Sequence, residues 1–267
     1  MTAEAFAALK QRHREMWASF APAATYTTPV AAHLVAFAGV SPGDAVLDVG
    51  TGTGVVALTA SRTGARVAAL DLTPELLAQA RENSRIAGDE RVEWTEGDAE
   101  QLPYADASFD VVLSQFGHMF APRPTVAVAE MRRVLKPGGR IAFATWPPEH
   151  FVGRMFAFVA RHSPPPPQGA VAPQLWGEPV RVAEWLQGGF DAPFFERGLM
   201  AVPALSLGHF RQFMERSVGP MRSLVERLSD DARALSAVRG EFDSLVRPYH
   251  VGNTVQQSYL LTRAAAR

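Results

Sequence analysis

The sequence predicts an α/β fold: a mostly parallel sheet of seven strands with helices on both faces, and a helical cap inserted around the last strands. Three observations predict it. A short apolar run, Ala45–Val49, turns through three glycines straight into a helical run that opens Val55-Val56-Ala57-Leu58. Four further short apolar runs follow up to Trp146, most of them separated by helix-like segments. Strands that alternate with helices form parallel sheets covered on both faces. Past Trp146 the rhythm changes to longer helical stretches ahead of the last two strand-like runs.

Taken in order, Thr2–Phe20 reads as an amphipathic helix, because Phe6, Leu9, His13, Met16, Trp17 and Phe20 recur at helical spacing. Ala21-Pro22 interrupts it. Pro29–Ala38 is a second helix, with proline in its first turn and Gly39 after its last. Ala45–Val49 is the first strand and Val67–Asp71 the second. Thr73-Pro74-Glu75 then opens a helix that runs to Gly88, a cap residue followed by proline at the first helical position. Val92–Thr95 is the third strand and Phe109–Gln115 the fourth. A helix over Pro124–Leu135 ends at Lys136-Pro137-Gly138-Gly139, and the fifth strand is Arg140–Trp146. Beyond it Phe151–His162 is helical, Ser163–Gly169 with its four consecutive prolines is an extended loop, and Glu178–Leu186 is a short helix. The sixth strand, Phe194–Leu205, is broken by Pro203. Helices over Gly208–Val218 and from Met221 to about Leu245 separate it from the last strand, Thr254–Thr262. The chain therefore divides into N-terminal helices over 1–40, a ligand-binding core over 41–147, and 148–267, which holds the cap insertions and the last two strands.

The glycine turn points to a ligand. A strand that passes into a helix through glycines brings bare backbone N–H groups up to a bound molecule. The spacing is Gly-x-Gly-x-Gly from Gly50, with Asp48 two positions before it, whereas a dinucleotide fingerprint needs its third glycine where Val55 stands. The second strand ends in Asp71, 17 residues after Gly54, where a carboxylate can accept both ribose hydroxyls. Gly97-Asp98-Ala99 follows the third strand, and Ser114-Gln115 ends the fourth. In open parallel sheets ligands bind beyond the carboxyl ends of the strands, so these ends converge on one crevice.

These ordered motifs, from about residue 44 to 146, resemble the class I S-adenosylmethionine-dependent methyltransferases, in particular the UbiE-like (type 11) group. The resemblance implies their Rossmann-like fold, S-adenosylmethionine as the cofactor and S-adenosylhomocysteine as its product. It also implies a binding set of Asp48, Gly50, Thr51, Gly52, Gly54, Asp71, Leu72, Asp98, Ala99 and Gln115. In that set the Gly50–Gly54 loop receives the amino-acid part and Asp48 holds its ammonium. Asp71 accepts the ribose hydroxyls, Leu72 stacks on adenine, and Asp98 bonds the adenine amino group beside the Ala99 backbone. The N-terminal helix either packs on the domain or, as the resemblance implies, forms a flap whose Trp17 covers the entrance.

The methyl acceptor is less legible. The segment Gln115-Phe116-Gly117-His118-Met119-Phe120 is expected to face the methyl group, with His118 as the candidate base; His150, His209 and His250 lie in the cap with less support. Phe116, Met119 and the cap aromatics are expected to line an apolar acceptor pocket closed to water. Ser114-Gln115-Phe116-Gly117 stands where enzymes that methylate base amino groups carry an Asn-Pro-Pro-Tyr-type motif, which argues against that chemistry. A net charge of −1 gives no pull toward nucleic acid or anionic lipid. No cysteine is present and no His/Asp/Glu cluster has metal-ligand spacing, so no metal site is expected. The N-terminus lacks a signal-peptide pattern, and the longest apolar run, Val30–Val40, is too short to span a bilayer, which together fit a cytoplasmic enzyme. The reading is a methyltransferase for a small, partly apolar molecule. Its rivals are an RNA or protein methyltransferase, a nicotinamide oxidoreductase, and a protein that holds the cofactor without catalysis. Oligomeric state is left open.

Overall fold

The computed structural model describes residues 3–267; Thr2, with which the predicted first helix begins, lies outside the described residues. Among the described residues eight strands form one sheet. In chain order the elements are α1 (Ala3–Trp17), α2 (Ala21–Ala24), α3 (Thr28–Ala38), β1 (Ala45–Val49), α4 (Val55–Ser61), β2 (Arg66–Asp71), α5 (Pro74–Ala87), β3 (Glu93–Glu96), β4 (Phe109–Gln115), α6 (Pro124–Val134), β5 (Leu135–Thr145), α7 (Phe151–Arg161), α8 (Pro179–Leu186), β6 (Phe194–Pro203), α9 (Leu207–Ser217), α10 (Gly219–Arg227), α11 (Ala232–Val246), β7 (His250–Val251) and β8 (Thr254–Ala265). The strand order is β3-β2-β1-β4-β5-β8-β6, with the two-residue β7 paired to β8. The first five strands pair in parallel, and β8 runs antiparallel between β5 and β6. The order reverses between β1 and β4, which opens the crevice at their carboxyl ends. Among the described residues no helix is long and apolar enough to cross a membrane.

Beyond shifts of one to three residues at other element ends and the added two-residue β7, three stretches differ from the sequence reading. Ala21-Pro22 does not simply end the first helix; it starts the short α2, with proline in the first turn. Leu135-Lys136-Pro137-Gly138-Gly139 is not a helix end and turn but the first part of β5. Leu135 pairs with Phe109, the register then shifts before Val111 meets Arg140, and Gly138 takes the left-handed φ of 73° that this bulge requires. Lys136 serves the sheet there, with its Nζ 2.8 Å from the Asp110 carboxylate. The single helix expected from Met221 to about Leu245 is two helices, α10 and α11. Asp231 separates them, because its carboxylate accepts the Ala234 N–H at 2.9 Å and caps α11.

The helices inserted on either side of β6 pack into a layer with a core of its own. Phe151, Phe158, Phe210 and Phe242 are fully buried there, with ring centroids 5.6 to 6.5 Å apart between neighbours. Met16 of α1 lies against Gly219 at the start of α10, so the N-terminal helix joins this layer. At the far edge, a chain of polar side chains ties α3 to the sheet. His33 Nδ1 is 2.8 Å from the Tyr259 hydroxyl and His33 Nε2 is 2.6 Å from Glu196. Tyr259 lies flat across its cross-strand partner Gly198, whose missing β-carbon leaves room for the ring. Gly198→Val is expected to force the ring off the strand and to cost about 1–3 kcal/mol. The urea midpoint measures this, and an unchanged midpoint would mean that Tyr259 has space to move aside.

Candidate active site

The three glycines after β1 do three different things. Gly50 lies against Gly117 of the loop after β4; a β-carbon on Gly50 would stand 2.8 Å from the Gly117 Cα. The N–H groups of Gly50 and Thr51 donate to the Leu70 carbonyl at 2.8 and 3.0 Å, which fixes the loop to β2. Gly52 has open space where a side chain would be, and its φ of 56° is what requires glycine. Gly54 faces away from the crevice: its β-carbon would meet Trp94 at 2.6 Å. Its place in the expected cofactor set is thus a packing role, with α4 starting on its left-handed φ of 83°.

Asp48 sits at the end of β1 with no exposure to solvent. One carboxylate oxygen accepts the Thr51 hydroxyl at 2.6 Å and the Ala57 N–H at 3.1 Å, and the other has no partner among the described residues. Burial pushes its pKa up to about 7, with the nearby Asp71 adding to the effect. Asp71 is also buried; its two oxygens accept the N–H groups of Gly52 at 2.7 Å and Thr73 at 2.8 Å. It joins the glycine loop to the start of α5, and Thr73 makes no side-chain cap. Burial raises the Asp71 pKa against the pull of those N–H donors. Asp98 is answered by Lys10, whose Nζ lies 2.5 Å from it and 2.6 Å from the buried Glu100. The Arg123 guanidinium closes the same group on Glu100 at 2.6 Å.

At the end of β4 the chain turns sharply. Phe116 takes φ of 64°, rare for a residue with a side chain, and stacks on Trp146 with centroids 3.8 Å apart and rings 11° from parallel. Gln115 Nε2 donates to the Thr27 carbonyl at 3.1 Å. The turn carries His118 back into the protein. Its Nδ1 is 2.8 Å from Ser114 Oγ and its ring is fully buried between Phe143 and Trp176, with centroids 4.6 and 4.5 Å away. Burial lowers its pKa to about 3. His118 does not border the crevice and is not placed to act as a base there, and Met119 is likewise buried behind it. His150, His209 and His250 do not reach the crevice either; they meet Arg197, the Leu205 N–H and the Ala204 carbonyl.

One cavity joins these parts. Asp48, Gly50, Thr51, Gly52, Asp71, Leu72, Asp98, Ala99 and Gln115 all line it, and so does Trp17 of α1, tilted on Phe120 at 4.6 Å. Its far wall is Trp146, Val152, Met155, Phe156, Met200, Val202, Phe213, Met214, Val218 and Gln257. Among the described residues no arginine lines it. The sequence reading missed His13, Tyr26 and Gln257. His13 shares the apolar stripe of α1 with Trp17, and burial lowers its pKa to about 4. Gln257 follows the period-two alternation of β8, on the same face as the buried Val255 and Tyr259, where an apolar residue is the usual occupant.

Residues 47–143 match the family described as methyltransferase domain. A protein of Mycobacterium bovis described only as uncharacterised is 34% identical over 256 residues, which span 94% of this chain and 93% of that protein. The demethylmenaquinone methyltransferase of Clavibacter sepedonicus is 32% identical over 173 residues, 60% of this chain and 70% of that enzyme. The chain belongs to the S-adenosylmethionine-dependent methyltransferases of type 11. Solved structures of methyltransferases share its fold. A proposed methyltransferase of Bacillus halodurans superposes with a TM-score of 0.60 at 22% identity, over 88% of this chain and 97% of that one. The Haemonchus contortus phosphoethanolamine N-methyltransferase, solved with S-adenosylhomocysteine, gives 0.52 at 19% identity, over 84% of this chain and 49% of that one.

The buried Asp48 of this methyltransferase makes a pH prediction. Its folded pKa of about 7 lies above the ordinary carboxylate value of 3.8, so the folded state holds the proton longer than the unfolded one. Ligand-free stability therefore falls as pH rises from about 4 through 7. Asp48→Asn keeps an acceptor for Thr51 and Ala57 without the charge. It is expected to stabilise the ligand-free protein at pH 8 by as much as about 4 kcal/mol, and by much less at pH 5. Urea unfolding at the two pH values measures this; a variant less stable than the parent at pH 8 would contradict the assignment.

Proposed function

We propose that this enzyme transfers the methyl group of S-adenosylmethionine to a small, partly apolar acceptor. The observation that carries the reading is the single cavity, which runs from three carboxylates and a glycine loop at one end to a wall of aromatic, aliphatic and methionine side chains at the other. The residues present suit the cofactor. Asp48 offers a buried oxygen with no partner, and a cationic ammonium is the group that such an oxygen accepts. Gly52 leaves open space over the loop backbone. Asp71 retains lone pairs for the ribose hydroxyls beside the two N–H groups it already holds. Leu72, Asp98 and the Ala99 backbone receive the adenine, with Gln115 bordering the methyl end. In this reading residues 1–40 and 148–267 supply the walls around a binding core over 41–147.

The bound cofactor supplies a methyl group already activated on a sulfonium, so the chain needs to align and to exclude water rather than to generate a nucleophile. Phe116 and Trp146 hold the wall at the end of β4, and Trp17 with Phe120 closes the side formed by α1. His13 is the imidazole that lines the cavity; at neutral pH it is uncharged and accepts a hydrogen bond from an acceptor that carries a proton. The absence of arginine along the lining favours this reading over RNA or protein as substrate.

S-adenosylmethionine and S-adenosylhomocysteine are expected to stabilise the protein by about 2.7 kcal/mol at a hundred times their dissociation constant, and NADH to do nothing comparable. Asp71→Asn, which keeps one acceptor oxygen, is expected to weaken S-adenosylhomocysteine at least tenfold in calorimetric titration. Stabilisation by NADH alone, or normal binding by the variant, would overturn the assignment.

A further inference from the structure

The far wall of the cavity contains one anomaly. Every residue it draws from beyond β5 is aromatic, aliphatic or methionine, except Gln257. Gln257 stands in the middle of β8, opposite Met200 of β6, with only 6% of its surface exposed. Its side-chain amide is bonded to no other side chain or backbone group among the described residues, yet its polar atoms are not sealed off: they stay open to the cavity that the side chain borders. Leucine or methionine would continue the apolar lining, whereas an amide that faces the cavity has to find its hydrogen bonds there, from water or from a ligand that displaces it. The strand's own alternation calls for an apolar residue there, since Val255 and Tyr259 on the same face are buried. The amide therefore serves the space of the cavity and closes no hydrogen bond within the fold.

Two properties of the amide define what would satisfy it. It donates through its NH2 and accepts through its carbonyl, side by side on one planar group. It carries no charge, and neither does any other described residue of that wall; Lys10 comes from α1, Asp48 and Asp71 from the carboxyl ends of β1 and β2, and Asp98 from the loop after β3. A charged acceptor would lie against that wall without a counter-ion.

We propose that Gln257 recognises the methyl acceptor, and that the acceptor is a neutral, largely apolar molecule presenting a hydrogen-bond donor and a hydrogen-bond acceptor side by side, as a carboxamide, a lactam or a hydroxyl next to a carbonyl does. This rests on the small-acceptor reading above and adds the edge by which the acceptor is held. Gln257 is a specificity-determining residue in this account: it orients the acceptor toward the methyl group and selects against molecules of the same shape that lack the polar edge, because binding those would leave the amide buried and bare.

The test uses three probes of similar size on the full chain saturated with S-adenosylhomocysteine: 2-naphthamide, 2-methylnaphthalene and 2-naphthoate, with affinities from competition against a fluorescent apolar dye. The wild-type protein should bind 2-naphthamide at least tenfold more tightly than 2-methylnaphthalene, and 2-naphthoate no better than 2-methylnaphthalene. Gln257→Leu and Gln257→Met should both abolish the preference for the amide while the affinity for S-adenosylhomocysteine stays within twofold. Binding of 2-methylnaphthalene with no preference for the amide in the wild-type protein, or a preference that survives both substitutions, would overturn the role of Gln257 and leave the small-acceptor reading standing. If neither neutral probe binds, the small-acceptor reading fails and this one with it.

Discussion

The backbones of Gly50 and Gly117 touch, and the rest of the site depends on that contact. Neither residue has room for a β-carbon, because each would place it against the other's main chain. The contact brings the loop after β1 to the turn after β4, the two strands between which the sheet order reverses. It presents the open face of Gly52 to the same cavity as Phe116 and Gln115, and it turns His118 inward onto Ser114. Ser114 in turn donates to the Val49 carbonyl at 2.5 Å, so the two strand ends are joined by a side chain as well as by backbone contact. A bulkier residue at either glycine would separate the two halves of the cavity and not merely strain a turn.

Charge in the cavity is distributed unevenly, and the distribution has a physical reading. Asp48 and Asp71 are both buried and both raised in pKa, each held by hydrogen bonds from nearby donors, with no cation among those donors. Asp98 is the exception, paired with Lys10 of α1. Carboxylates kept in this state favour a cationic ligand, since its binding restores what burial took away. Among the described residues the wall beyond β5 holds no charge. A donor that is positive at two atoms and an acceptor that is neutral would divide the cavity along this boundary.

Much of this was legible in the sequence. Short strands ending in Asp48, Asp71 and Gln115 announce themselves by apolar runs that stop at a polar residue, and the positions that line the crevice follow from where strands end. What the sequence hid was direction and distance. Gly54 fits a ligand motif by spacing, yet its side-chain position is filled by Trp94, which lies 40 residues on. His118 follows a functional strand closely, but the left-handed turn at Phe116 reverses the direction of the chain just before it. The helix expected to run on from Met221 is broken by an aspartate whose capping bond outweighs the helical pattern around it. Gln257 reads as one polar residue in a pair, Gln256-Gln257, and it is the alternation of β8, with Val255 and Tyr259 buried on the same face, that turns Gln257 inward.

The central claim is that one continuous cavity serves both cofactor and acceptor, with the methyl group delivered at the Phe116–Gly117 turn toward the wall that contains Gln257. A crystal structure of the complex with S-adenosylhomocysteine tests it most directly. The account predicts the ribose on Asp71, the amino group at the free oxygen of Asp48, and the sulfur directed past Phe116 into the apolar chamber. A sulfur that opens onto solvent between α1 and α5, with the chamber walled off behind it, would contradict the account.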